Sequence, residues 1–98
     1  MNSAADISIP LPLSGVRVVS IALNLPGPAC ARRLADFGAT VVKIEPPDSL
    51  CGDPMRLYAR SYYEALHEGL DVRTLNLKNV DDRAALDGLL AMADVLLT

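Results

Sequence analysis

Residues 16–45 constrain the fold more than any other part of the sequence. Val16-Arg17-Val18-Val19-Ser20-Ile21-Ala22 is β-branched and mostly apolar, as expected of a strand buried on both faces of a parallel sheet. Leu25-Pro26-Gly27-Pro28 reads as a turn. Pro28 suits the first residue of a helix, where the missing N–H costs nothing. Cys30, Leu34 and Phe37 then fall at helical spacing, with Arg32, Arg33 and Asp36 on the other side. Gly38 is placed to end that helix in a left-handed conformation. Thr40-Val41-Val42-Lys43-Ile44-Glu45 is a second strand, stopped by Pro46-Pro47. Strand, helix and strand with short connections form a right-handed parallel unit in nearly all proteins.

The alternation continues beyond that unit. Residues 46–56 carry Pro, Asp, Ser and Gly and read as a loop, and residues 57–67 as a short helix. Val72 to Leu77 alternates like a strand. Asn79 is a candidate N-cap with Asp81 and Asp82 in the first turn, and Leu86, Leu89, Leu90 and Ala93 form an apolar stripe. Asp94 to Thr98 starts another buried strand. We therefore expect an α/β fold, Rossmann-like and three-layered, with a mostly parallel sheet over residues 13–98 behind a tail at 1–12. The apolar ending Val95-Leu96-Leu97, with no cap or polar tail, leads us to expect a piece truncated from a larger domain.

Composition narrows the function. Ninety-eight residues allow one domain at most, with a thin core. A formal net charge of -3 argues against nucleic acid, which needs a basic stripe. No apolar run approaches the roughly 20 residues of a membrane span. The opening MNSAADISIP lacks the basic and apolar regions of a secretory signal, so a cytoplasmic location is expected. Cys30 and Cys51 are too few for a disulfide framework, and with His67 as the single histidine no metal is expected. Cys30 is expected in the core, His67 at the surface or a helix end, and Tyr58, Tyr62 and Tyr63 against the loop or an interface.

The strand–turn–helix from Val18 to Phe37 is where an α/β sheet binds ligands, beyond the strand's carboxyl end. A dinucleotide fingerprint would need three glycines there. Gly27 stands alone between Pro26 and Pro28, which lack the N–H groups that hold a pyrophosphate. The turn reads as a rigid helix entry, or as one that offers a ligand backbone and an apolar wall.

The order of motifs resembles the amino-terminal part of the class III CoA-transferase family. The residues are Leu13-x-Gly15-Val16, Gly27-Pro28, Ala35-Asp36-x-Gly38-Ala39, Val41-Val42-Lys43-Ile44-Glu45-Pro46-Pro47, Gly52-Asp53-Pro54-x-Arg56, Leu75-Asn76-Leu77-Lys78 and Ala93-Asp94-Val95. The resemblance implies transfer of CoA between carboxylic acids, or racemisation of a CoA thioester, with acyl-CoA and a carboxylic acid as partners and a homodimer as the assembly. It implies that the nucleophilic aspartate of the transferases lies downstream of Ala93-Asp94-Val95, so no catalytic residue is expected here. By position it implies that Leu25, Pro26, Pro46, Leu75, Asn76, Leu77 and Lys78 line the coenzyme A site, with the Lys78 ammonium near a phosphate.

One departure bears on binding. Where many members carry a Lys-Arg pair before this last motif, the chain has Leu70 and Asp71. Arg73 falls on the same strand face as Asp71 and is placed to compensate. The alternative reading is a non-catalytic binding or assembly module, or a degenerate relative.

Overall fold

The computed structural model describes residues 11–48 and 52–98. Four strands form one sheet: β1 (Arg17–Ser20), β2 (Thr40–Glu45), β3 (Asp71–Thr74) and β4 (Val95–Leu97), in the order β3-β2-β1-β4. Every pairing is parallel, with Val18 opposite Val41 and Val95, and Lys43 opposite Val72. The helices are α1 (Pro26–Asp36), α2 (Met55–Tyr58), α3 (Arg60–His67) and α4 (Val80–Met92). The expected α/β class and parallel sheet hold.

The period of two in β1 and β2 sorts the residues into layers. Val18 and Val41 pack with Ala31 and Ala39 in the main apolar cluster, joined by Leu34 and Ala35 of α1. Val19 and Val42 face the other way, toward Leu89 and Met92 of α4. Helices thus cover both faces of the sheet, which makes three layers. Coverage is uneven: α4 has no fully buried residue, and Met92 is 63% exposed.

Local chemistry sets the element ends. Pro26 opens α1 and Pro28 lies within its first turn, where the helix needs no N–H. A Cβ on Gly27 would come within 2.3 Å of the Ala22 Cβ, so this glycine permits close packing of the helix start on the chain leaving β1. At the other end Gly38 takes φ +106, Gly38 N–H donates to the Ala35 carbonyl and Ala39 N–H to that of Leu34. That pair of bonds is the Schellman ending. Asn79 caps α4 by accepting from the N–H groups of Asp81 and Asp82.

Five details differ from the sequence reading. β4, expected as a buried strand, leaves Val95 and Leu96 exposed. Cys30 is exposed, because α1 buries Pro28 and Ala31 instead; the small Ala31 side chain lets the helix sit close to the sheet. The expected single helix at 57–67 begins at Met55 and is broken at Ala59, whose φ of -149 is not helical. β3 ends at Thr74: Leu75 N–H still reaches the Glu45 carbonyl, but Asn76 N–H turns to the Asp82 carboxylate, so Leu75–Lys78 leave the sheet. His67 ends α3 as expected, but it is buried. Most of the expected tail, and Cys51, lie outside the described residues.

Candidate functional site

An apolar cavity and a charged cluster flank the carboxyl end of the sheet, one on each side. On the α4 side a cavity of about 320 Å³ is lined by Ile21, Ile44, Pro46, Pro47 and the segment Leu75 to Lys78. Its wall is apolar because Ile44 points there from β2 and the two prolines turn the chain away beyond it. The segment 75–78 is ordered by its own hydrogen bonds: Lys78 N–H donates to Asn76 Oδ1 at 3.1 Å, and Asn76 N–H to Asp82 at 2.8 Å. Lys78 is exposed and makes no ion pair among the described residues.

Five of the residues expected at a coenzyme A site therefore share one cavity: Pro46, Leu75, Asn76, Leu77 and Lys78. Leu25 and Pro26 do not line it. They sit at the entry to α1, with Leu25 41% exposed. Beside the cavity, Asp71 and Arg73 pair at 2.9 Å, so the departure at Asp71 is neutralised within its own strand.

On the α1 and α3 side lies a cluster that the sequence reading missed. Val41, Lys43 and Glu45 alternate onto this face, and Lys43 and Glu45 are fully buried. The Lys43 ammonium donates to Asp53 Oδ2, lies 3.0 Å from Glu45 Oε2 and donates to His67 Nε2 at 2.7 Å. Glu45 also accepts from Arg56 and from the Tyr63 hydroxyl, each at 2.5 Å. The Tyr63 ring stacks on His67 with centroids 3.9 Å apart. His67 Nδ1–H donates to the Tyr63 carbonyl at 2.6 Å, which leaves Nε2 as the acceptor. Two cations, Lys43 and Arg56, thus balance two carboxylates, Glu45 and Asp53.

Burial and partners shift these groups as that geometry demands. Burial alone would raise the Asp53 carboxyl, but the Lys43 hydrogen bond and charge and the N–H groups of Met55 and Asn24 hold it below the usual range. The Tyr63 hydroxyl is pushed up to about 12 by burial and by its bond to Glu45. Burial holds His67 below its ordinary value, with the Lys43 charge adding to the effect. Glu45, Asp53 and His67 bring three ligand atoms within 4.8 Å of one another, as a metal site would. The Lys43 Nζ already contacts all three, so the chain supplies its own cation.

A parallel three-layer sheet with an apolar strand-end cavity and a lysine at its rim defines an α/β fold of the kind that offers a concave strand end. The chain belongs to CoA-transferase family III, whose profile matches residues 13–98. It is 37% identical over 95 residues to the succinyl-CoA–D-citramalate CoA-transferase of Chloroflexus aurantiacus, covering 90% of this chain and 23% of that one. It is 38% identical over 96 residues to the cinnamoyl-CoA:phenyllactate CoA-transferase of Clostridium sporogenes, covering 87% and 23%. A crystal structure of a hypothetical protein from Mycobacterium tuberculosis superposes with a TM-score of 0.77 at 30% identity, covering 90% and 25%. The chain thus spans about a quarter of the length of the relatives it matches.

Proposed function

We propose that this chain is the amino-terminal, coenzyme A-binding portion of an enzyme that transfers CoA between carboxylic acids. Membership of CoA-transferase family III supports the chemistry. The observation that carries the binding role is the cavity beyond β2 and β3, where five residues converge and one is an unpaired lysine. An apolar wall suits a flat base, and an ammonium at its rim suits a phosphate. Leu25 and Pro26 would meet the ligand from the turn after β1. The substrates are then an acyl-CoA and a carboxylic acid, and the reading requires no metal. The nucleophile would come from a part of the protein beyond residue 98. The homodimer rests on the resemblance to the family, and the cytoplasmic location on the sequence alone.

The test is calorimetric titration of CoA and dephospho-CoA into wild type and Lys78→Ala. The variant should lose about 1.5–3 kcal/mol of CoA affinity, as for a hydrogen bond to a charged group. Wild-type affinity should fall as salt rises. No CoA binding by the wild type would refute the reading, and equal affinities would remove Lys78 from the site.

A further inference from the structure

The chain leaving β1 carries a left-handed residue. Asn24 has φ 71 and is the sole non-glycine residue with positive φ among the described residues. Asparagine adopts that conformation more readily than other residues with a Cβ, and here the surroundings hold it there. Two groups enforce it here. Asn24 N–H donates to Asp53 Oδ1 at 2.9 Å, and Asn24 Oδ1 accepts from the Tyr58 hydroxyl.

Asp53 is itself held from behind. Its Oδ1 also accepts from Met55 N–H at 2.9 Å, and its Oδ2 accepts from Lys43. Lys43 in turn rests on His67 Nε2. An unbroken line of polar contacts, buried as far as Asp53 and part-buried at Asn24, therefore runs from the end of α3 to the turn after β1. Ile21, three residues before Asn24, lines the apolar cavity on the opposite face of the sheet. The turn is thus the structural link between the charged cluster and the candidate ligand site.

We propose that Asp53 is a positioning residue that fixes the Asn24 turn against the coenzyme A cavity, and that protonation of His67 releases it. The link to the cavity rests on the CoA reading above; the hold on the turn does not.

The geometry explains the acid sensitivity. Both ring nitrogens of His67 are committed, Nδ1–H to a carbonyl and Nε2 to the Lys43 ammonium. A second proton would set N–H against N–H and charge against charge at 2.7 Å. The groups facing His67 are Lys43 and Glu45 from β2, Asp53 from the loop before α2 and Tyr63 from its own helix, with Arg56 of α2 on Glu45. Their charges sum to zero, so protonated His67 would leave a surplus cation. A histidine held low keeps its contribution above its ordinary value of 6.5 and loses it as pH falls below that. Asp53, held below 3.8, stays ionised well into that range. A pH series descending from about pH 8 to about pH 4 therefore probes His67 while Asp53 stays largely charged.

Hydrogen–deuterium exchange of the full-length protein, read by mass spectrometry over residues 21–25 and corrected for intrinsic rates, tests this. Asp53→Ala at about pH 8 should speed exchange in 21–25 by about 10-fold or more, the worth of a hydrogen bond to a charged group. Asp53→Asn, which keeps one acceptor, should recover part of the protection. Segments on α4 should not change, which separates positioning from general unfolding. Wild type should lose protection in 21–25 as the pH falls from about 8 toward about 4. His67→Gln, which keeps an acceptor for Lys43 but cannot titrate, should not. Unchanged exchange in Asp53→Ala, or the same pH profile in His67→Gln as in wild type, overturns the proposal.

CoA titration of the same samples reads the other half. Asp53→Ala should bind CoA more weakly than Asp53→Asn. If exchange responds and CoA affinity does not, the link to the cavity is overturned. If wild type binds no CoA, the CoA reading fails, and the exchange data still decide whether Asp53 holds the turn.

Discussion

Replacing Lys43 by methionine should expose how far the fold depends on its buried charges. Methionine is close to lysine in length and apolar, so Lys43→Met leaves no large cavity. What it leaves is a charge imbalance. Glu45 keeps Arg56 and Tyr63, each at 2.5 Å. Asp53 keeps the N–H groups of Asn24 and Met55 but no cation, at 0% exposure. Removing one partner of a buried ion pair costs about 3–5 kcal/mol, because the other charge stays buried. That is a large share of the ~5–15 kcal/mol that stabilises an ordinary domain. Lys43→Met/Asp53→Asn removes both charges and keeps an acceptor for the two N–H groups, so it should be more stable than the sum of the singles implies. The coupling should be about 1–3 kcal/mol. Urea unfolding at neutral pH of wild type, both singles and the double gives the cycle. A loss below about 1 kcal/mol for Lys43→Met, or additive singles, would show that the ammonium and carboxylate do not act as a buried pair.

Two further predictions concern packing. Gly38→Ala forces a Cβ into a φ of +106, within 2.7 Å of the Leu11 Cβ and 3.2 Å of the Ser14 nitrogen. It should cost about 2–4 kcal/mol in urea unfolding, from left-handed strain plus overpacking, and a neutral effect would mean that the 11–15 turn does not rest on α1. The 98 residues alone should self-associate through the edge at β4, where Val95 is 42% and Leu96 49% exposed. Sedimentation equilibrium at low micromolar concentration should show a dimer, and a monomer would show that this segment closes its own core.

The parts of the fold written in local chemistry were legible. Thr40–Glu45, Asn79 and Gly38 needed only a β-branched run, a capping side chain and a residue without Cβ. The face of α1 was not, since Cys30/Leu34/Phe37 and Pro28/Ala31/Leu34 are both apolar rows that share Leu34. The choice between them falls to close packing at Ala31, which spacing does not encode. The end of β3 was missed for a similar reason: the Asp82 carboxylate that captures Asn76 N–H belongs to a later helix. The charged cluster left one readable sign. Lys43 and Glu45 stand in a run that reads as buried on both faces, and a central parallel strand has no room for unpaired charges. Their partners at 53, 56, 63 and 67 come together only through the fold.

β2 explains why the two constructions stay separate. Ile44 reaches the apolar cavity while its neighbours Lys43 and Glu45 point to the opposite side. A ligand on the α4 side is therefore screened from three buried charges and the half-buried Arg56 by one thickness of sheet. Neutrality within the cluster strengthens that separation, because two cations and two carboxylates in contact project little field. Influence between the two sides must then pass around the end of the sheet, where the chain leaves β1. Asn24 is at that point, in a left-handed conformation, and Asp53 is the group whose one carboxylate touches both the turn and the lysine. A neutral residue at 53 with no acceptor would leave the cluster charged and the turn unheld at once. Loss of the turn and loss of stability should accordingly separate in Asp53→Asn, which restores an acceptor without restoring the charge.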